Sequence, residues 1–193
     1  MKTAVVCATS VLVTLGSLAA NSFRPAASDF YQVDPVHSSM VFSVKHMGTS
    51  NFYGRFNNIT GSFTLDDDPN KNTFQVQIQT ESVDTAVKKR DDHLKSPDFF
   101  NAKQFPTITF KSTQVKKAGD DSLEVTGDLT LHGATKSVKA KVTKTGTGNF
   151  FGRAVAGVEA TLTIKRSEFG MNFMPDGIGD EVRITVSLEG GRQ

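Results

Sequence analysis

Residues 34–46 read DPVHSSMVFSVKH, and this stretch decides the fold. From Met40 onward, bulky side chains at the even positions alternate with Val41, Ser43 and Lys45. A period of two residues predicts a β-strand rather than a helix, with one apolar face. Histidines bracket that face, with His37 just before the strand and His46 at its far end. The pattern therefore predicts a strand that lines an apolar interior with polar groups at its ends.

The composition points to one globular domain with a large apolar interior. The chain has 193 residues, and its formal net charge of +2 gives no excess that would drive nucleic-acid binding. Hydrophobic residues make up 37% and charged residues 22%, which is typical of a folded protein. Fifteen Phe, two Tyr and no Trp favour an apolar core or a lipid-lined cavity over stacking sites for sugars or nucleotides.

The first residues differ from the rest of the chain. A short basic start, an apolar run over residues 4–19 and small residues at its end are typical of a secretory signal peptide, predicted for residues 1–20. An uncleaved anchor is the alternative, but the run is shorter than the roughly 20 apolar residues that span a bilayer. After the signal peptide, the sequence predicts a linker over residues 21–29 and one domain over residues 30–190. Because Cys7 lies in the signal, the exported protein would carry no thiol or disulfide, and its location would be periplasmic or secreted.

Alternation continues along the chain and predicts an all-β fold with about eight strands. A change of parity at Asn57 and Asn58 predicts a one-residue bulge that bends a long strand. Residues 90–95 predict a short helix that ends before Pro97, followed by Phe99 and Phe100 as an apolar plug. Eight antiparallel strands with one helical insertion fit an up-and-down barrel that can hold one small ligand. A sandwich would bury the same faces without a cavity.

Inward parity identifies the candidate binding residues. Small inward residues leave space in the interior and favour the barrel. The residues predicted to line a ligand tunnel are Met40, Phe42, Val44, Phe74, Val76, Ile78, Phe110, Leu129, Ala156 and Val158. The groups predicted to hold a head group are His37, His46 and Arg166. Two orientations of Arg166 stay open: the guanidinium turns into the barrel mouth and pairs with an anion, or it faces water.

Catalytic and metal motifs are absent from the sequence. The four histidines have no partner at metal-ligand spacing, and no G-x-S-x-G, phosphate-loop or dinucleotide fingerprint occurs. We therefore predict no catalytic residue, no metal and no cofactor. One enzymatic alternative remains, a hydrolase or isoprenoid-modifying enzyme that uses His93 with Asp91 at the barrel mouth. Another alternative is an interaction barrel that binds no ligand.

Nearly all of the chain after residue 30 resembles the YceI-like family of bacterial secreted proteins. The resemblance lies in these stretches, in order: 31–38 (YQVDPVHS), 42–46 (FSVKH), 54–56 (GRF), 90–94 (RDDHL), 99–100 (FF), 105–112 (FPTITFKS), 125–133 (VTGDLTLHG) and 166–170 (RSEFG). Residues 171–175 (MNFMP) depart from the aromatic, Trp-containing version that many relatives carry.

The resemblance implies a lipocalin-like barrel in the periplasm that binds a polyisoprenoid or similar long amphiphile in a central tunnel. Candidate ligands are an isoprenoid quinone, a prenyl diphosphate or a fatty-acid derivative, held for storage or transport. The resemblance also implies a possible homodimer. We further expect only transient membrane contact, for ligand exchange. The resemblance supplies no catalytic residue.

Overall fold

The computed structural model describes residues 28–193, so the predicted signal peptide, Cys7 and most of the predicted linker lie outside the described residues. The strands are β1 (Asp29–Val33), β2 (Ser39–His46), β3 (Ser50–Phe56), β4 (Ile59–Leu65), β5 (Thr73–Gln79), β6 (Val83–Asp84), β7 (Thr107–Lys117), β8 (Ser122–Leu131), β9 (Ala134–Phe150), β10 (Arg153–Lys165) and β11 (Ile178–Arg192). Helix α1 is Lys88–Leu94, and 3-10 helices span Pro69–Lys71, Thr80–Ser82 and Arg166–Phe169. No helix in this described part is both long and apolar enough to cross a membrane.

The strands form one antiparallel sheet that closes into a barrel. Strand β1 pairs with β4 and β11, whereas β2 pairs with β3 and β11. The consecutive strands β1 and β2 therefore share one position in the wall, β3 and β4 share the next, and the barrel has eight positions. The prediction of an all-β, eight-stranded antiparallel barrel with a short helix is confirmed, and the sandwich alternative is wrong.

The predicted bend falls where the parity changes, but its form differs. Asn57 and Asn58 separate β3 from β4 as a break of two residues, rather than as a one-residue bulge within a strand. The backbone groups of the break are satisfied locally, because Asn57 N donates to Ser82 O at 3.0 Å and Asn58 O accepts from Gln79 N at 3.0 Å. The break lets β3 pair with β2 while β4 pairs with β1 and β5.

The barrel interior divides into two halves. The half near β1, called here the packed half, is filled by buried side chains that do not line the cavity described below. Its members are Tyr31, Val33, Phe63, Val115, Leu123, Val125 and Ala156. Tyr31 stacks on Phe63 with ring centroids 5.1 Å apart, and Phe63 stacks on Phe74 at 6.4 Å. Each such burial stabilises the fold by about 1.5–3 kcal/mol, so this half supplies stability without the disulfide that the sequence lacks.

The other half stays hollow because large rings lie against the wall. A Cβ at Gly54 would come within 2.3 Å of the Phe42 ring, and a Cβ at Gly127 would come within 2.4 Å of the Phe110 ring. Each ring therefore occupies the space above a glycine of the neighbouring strand, where any other residue would clash. The phenylalanines cover the strands and leave the centre of the barrel open.

Candidate functional site

The hollow half contains an apolar cavity of about 470 Å³, a size typical of small-molecule sites. Its polar lining groups include His46, Arg90, His93 and Arg166, which lie at the end where β2 finishes and β11 begins. All predicted tunnel residues except Ala156 line the cavity. Apolar residues that complete the lining include Phe52, Phe56, Ile108, Leu131, Ala140, Val142, Ala160, Leu162, Ile164, Val182, Ile184, Val186 and Leu188.

Ala156 is the exception among the predicted tunnel residues. It is 1% exposed and pairs with Gly190 on β11 and Thr147 on β9. Its parity is inward, as predicted, but it lies deeper than the cavity, in the packed half. Parity identifies the face of a strand and not the depth along it, so the prediction that Ala156 lines the tunnel is wrong.

An aromatic cluster covers the mouth. His93 of α1, Phe99 of the loop after it and Phe173 of the loop before β11 form the lid cluster, whose ring centroids are 5.0 to 5.2 Å apart with edge-to-face packing. Phe100 extends this cover inward, with its ring 5.2 Å from Phe56 and 6.3 Å from Phe42. Two chain segments far apart in sequence therefore meet over the cavity through side-chain rings.

Arg166 holds the loop before β11 in place. The side chain is 6% exposed, and its Nε donates to Gly179 O at 3.0 Å. Nη1 donates to Met171 O at 2.6 Å and Phe173 O at 2.9 Å, and Nη2 donates to Ile178 O at 2.8 Å.

Burial lowers the pKa of Arg166 from its ordinary value, and the Asp180 carboxylate opposes this shift. The side chain turns inward, so the alternative that it faces water is wrong. Because backbone carbonyls accept from four of its five N–H groups, the structure gives Arg166 a structural role in place of the predicted contact with a ligand head group.

Residues 31–190 match the family described as YceI-like domain. The chain belongs to the YceI-like family. The resemblance seen in the sequence is thereby confirmed, and the match spans the barrel from β1 into β11.

Known YceI-like relatives and solved barrels agree with this assignment. A UPF0312 protein of Pseudomonas paraeruginosa is 42% identical, covering 96% of this chain and 98% of that protein. BcnA of Burkholderia cenocepacia superimposes with a TM-score of 0.75 at 27% identity, over 81% of this chain and 98% of the other. A polyisoprenoid binding domain from Saccharophagus degradans, implicated in plant cell wall breakdown, superimposes with a TM-score of 0.66 over 84% and 98% of the two chains. At 15% identity, this last match supports the fold alone.

His46, Arg90 and His93 are the exposed polar groups at the mouth of this YceI-like barrel, and His93 is paired with Asp98. Arg90 Nε donates to Thr85 Oγ1 at 2.8 Å and Nη2 donates to Thr85 O at 2.8 Å. Its guanidinium carbon lies 4.5 Å from the centre of the Phe52 ring, a cation–π contact. The sequence pattern did not identify Arg90, because a seven-residue helix rich in charged residues has no clear inward face. Leu94, followed closely by Phe99 and Phe100, was the available signal that this segment packs onto the barrel.

His37 lies away from the mouth, in the turn that interrupts β1 and β2. Its exposed imidazole Nδ1 is 2.8 Å from Asp34 Oδ2 and 3.8 Å from Glu189 Oε1. The hydrogen bond between His37 and Asp34 raises the pKa of His37 and lowers the pKa of Asp34. The prediction that His37 faces the tunnel is wrong, because the strand begins only at Ser39 and residues 35–37 are exposed in the turn before it.

The hypothetical pair of His93 and Asp91 does not form in this YceI-like structure. Asp91 Oδ1 accepts hydrogen bonds from Thr85 N and Thr85 Oγ1, at 2.8 and 2.5 Å. His93 Nε2 instead lies 2.8 Å from Asp98 Oδ2, and its ring belongs to the lid cluster. Neighbours along a helix point in different directions, so their closeness in sequence did not produce a contact.

Proposed function

We propose that this YceI-like protein binds one long-chain apolar or amphiphilic lipid, such as a polyisoprenoid, in the barrel cavity and stores or carries it. The observation behind this proposal is the cavity itself: about 470 Å³, lined almost wholly by apolar side chains, in a barrel whose other half is packed solid. An apolar cavity of this size has no structural benefit, since filling it with side chains would stabilise the fold. The likeness in fold to a polyisoprenoid binding domain agrees with the proposal.

Burial of the lipid chain would supply most of the affinity. Each Å² of apolar surface removed from water contributes about 25 cal/mol, with little preference among chains of equal length. Choice among ligands therefore falls to the mouth, where we assign the head-group contacts to Arg90 and His46. A guanidinium is suited to a phosphate or carboxylate, whereas a quinone or alcohol head group would gain little from its charge.

We propose binding rather than catalysis as the activity. The two residues of the enzymatic alternative, Asp91 and His93, have other partners. Asp91 accepts a hydrogen bond from Thr85 N, and His93 pairs with Asp98.

We also infer that the protein is exported and meets membranes only transiently, to exchange its ligand. This inference rests on the apolar run and small residues of positions 1–20. N-terminal sequencing of the protein from its native cells should find a first residue at position 20 or 21. Recovery of the intact Met1 end from the cytosol would end this inference.

The homodimer implied by the resemblance stays a prediction for analytical ultracentrifugation.

Titration of delipidated protein tests the proposed function. A fluorescent and uncharged apolar probe, N-phenyl-1-naphthylamine, should bind saturably and be displaced by farnesol and by farnesyl phosphate. Replacing Arg90 with alanine should weaken farnesyl phosphate by roughly tenfold to a hundredfold and leave farnesol nearly unchanged, because a charge-assisted hydrogen bond contributes about 1.5–3 kcal/mol.

Lys89→Ala is the matched control for this titration. Lys89 lies on the same helix, is exposed and does not line the cavity. It should change neither affinity. Equal losses for both ligands in Arg90→Ala would show that the arginine acts through the lid and not on the head group. Lack of saturable displacement by either ligand would contradict lipid binding itself.

A further inference from the structure

We propose that Asp34, His37 and Glu189 form a binding site for one divalent transition-metal ion of the zinc class, on the solvent side of the barrel wall. The three side chains offer one ligand atom each, and these atoms all lie within 4.8 Å of one another. His37 Nδ1 is 2.8 Å from Asp34 Oδ2 and 3.8 Å from Glu189 Oε1. The site is independent of the proposed lipid binding, because none of the three residues lines the cavity.

The spacing of the ligand atoms fits a zinc ion. Zinc lies about 2.0–2.2 Å from histidine nitrogens and carboxylate oxygens, so two ligands at a tetrahedral angle are roughly 3.4 Å apart. The separations of 2.8 and 3.8 Å lie on either side of this value. On metal binding, the proton that His37 Nδ1 shares with Asp34 leaves for the solvent, the Nδ1 lone pair binds the ion, and Nε2 keeps its proton.

The charge of the cluster favours a dication. Two carboxylates converge on one imidazole nitrogen, and no lysine or arginine within residues 28–193 forms an ion pair with either of them. Protonated His37 neutralises one of the two negative charges, whereas a divalent ion bound to neutral imidazole neutralises both. The hydrogen bond between His37 and Asp34 therefore leaves the position of Glu189 unexplained, and a metal ion explains it.

The backbone holds the three residues in place. Asp34 N donates to Glu189 O at 2.8 Å. Ser38 Oγ accepts from Glu189 N at 3.1 Å and donates to Glu189 O at 3.3 Å. Val36 N donates to Asp34 Oδ1 at 2.8 Å, which leaves Oδ2 for the ion, and Pro35 restricts the backbone of the turn. Ligands that are already gathered lose little conformational freedom when the ion binds.

The ligand atoms determine the class of ion. One imidazole nitrogen with two carboxylate oxygens suits Zn²⁺ and similar first-row ions, whereas Mg²⁺ and Ca²⁺ prefer oxygen ligands alone. Three protein ligands leave at least one coordination position for water. The sequence carries no metal motif here, because Glu189 belongs to β11, the last strand. Pairing of Val33 with Gly190 brings that strand beside the turn.

Zinc titration of tag-free, chelator-treated protein tests the site. Isothermal titration calorimetry with Zn²⁺ should find one strong site per chain, and an equal concentration of Mg²⁺ should leave it unchanged. His37→Ala, Asp34→Asn and Glu189→Gln should each weaken this site by at least roughly tenfold, because each variant removes one ligand. Asp34→Asn keeps an acceptor for Val36 N, so the turn is retained in that variant.

A second measurement links zinc to the fold. At a free Zn²⁺ concentration of about 100 times the dissociation constant, the melting temperature of the wild type should rise by roughly 5–10 °C. The same concentration should give little rise in His37→Ala. Circular dichroism establishes that each variant is folded before zinc is added.

Glu159→Gln is the matched control for Glu189→Gln. Glu159 is an exposed carboxylate on β10, which pairs with β11, and it does not belong to the cluster. The control should keep the zinc affinity of the wild type. An equal loss in Glu159→Gln would overturn the proposal, because it would show that general negative charge attracts the ion.

Two further results would overturn the metal site. One is the lack of a zinc site in the wild type, and the other is wild-type zinc affinity in the folded His37→Ala protein. Displacement of zinc by an equal concentration of Mg²⁺ would overturn the proposed class of ion. Displacement of the fluorescent probe by lipids is a separate measurement, so failure of the metal site and failure of the proposed function are distinguishable.

Discussion

Replacement of Arg166 by alanine is expected to lower the free energy of unfolding by about 3–5 kcal/mol, a large share of the stability of a domain this size. The guanidinium donates to four carbonyl oxygens, of Met171, Phe173, Ile178 and Gly179, inside a buried site. Its removal would leave these acceptors without their donor and release the loop that carries Phe173 over the cavity. Urea unfolding monitored by circular dichroism measures the loss of free energy of unfolding. In thermal unfolding, the same loss should lower the melting temperature by roughly 10 °C.

A neighbouring arginine supplies the control for this experiment. Arg183 on β11 is exposed, and Arg183→Ala should change stability by no more than about 0.5 kcal/mol. Arg166→Lys keeps the charge but lacks the planar fork, so it should recover only a minor part of the loss. Because the loop that carries Phe173 over the cavity depends on Arg166, Arg166→Ala should weaken anionic and neutral lipids alike. A selective loss of anionic ligands in a protein of normal stability would contradict the structural role.

Replacement of Ala160 by phenylalanine is expected to reduce lipid affinity by a hundredfold or more, roughly 2.7 kcal/mol. Ala160 lines the cavity on β10, opposite Val142 and Val186 in the register, and a benzyl group there would occupy the space of the ligand chain. The probe-displacement titration measures the change for both farnesol and farnesyl phosphate. The loss should be equal for the two because the obstruction lies away from the head group.

Thr161→Phe is the matched control, since it adds the same ring one residue further along β10. Thr161 is exposed and does not line the cavity, so this variant should keep wild-type affinity. Unchanged affinity in a folded Ala160→Phe protein would show that the ligand binds elsewhere. An equal loss in Thr161→Phe would show that the effect comes from the strand rather than from the cavity.

The barrel could be predicted because its strands repeat a local rule. Side chains alternate between two faces of a strand, so the apolar face around Met40 and Phe42 identifies the interior without any knowledge of the fold. The bend at Asn57 and Asn58 was also visible as a change of parity. Its form was not, since a one-residue bulge and a two-residue break can shift the alternation alike.

Depth along the barrel could not be predicted. Ala156 and Ala160 share strand and parity, yet one lies in the packed half and the other lines the cavity. The difference comes from the stacked rings of Tyr31, Phe63 and Phe74, which belong to other strands. The boundary between filled and hollow interior is a property of the assembled wall, not of any single strand.

Side chains at the mouth depend even more on tertiary contacts. The orientation of Arg166 stayed open in the sequence, because its four acceptors lie in the loop before β11 and in the first two residues of β11, whose path the sequence pattern does not specify. His37 lies close in sequence to the cavity strand, yet it belongs to the exposed turn of residues 35–37 and does not line the cavity. Arg90 reaches the mouth because its helix packs over the opening, and a seven-residue helix carries little pattern from which to predict its contacts.

The central claim is that the cavity holds one apolar chain, and native mass spectrometry of the freshly purified protein tests it most directly. The measured mass should exceed that of the polypeptide. Denaturation should release the bound molecule, and it should be identified as a single lipid with an apolar chain long enough to fill the cavity. Ala160→Phe purified in parallel should lack this added mass. Repeated recovery of wild-type protein without added mass, even after incubation with a bacterial lipid extract, would contradict the claim.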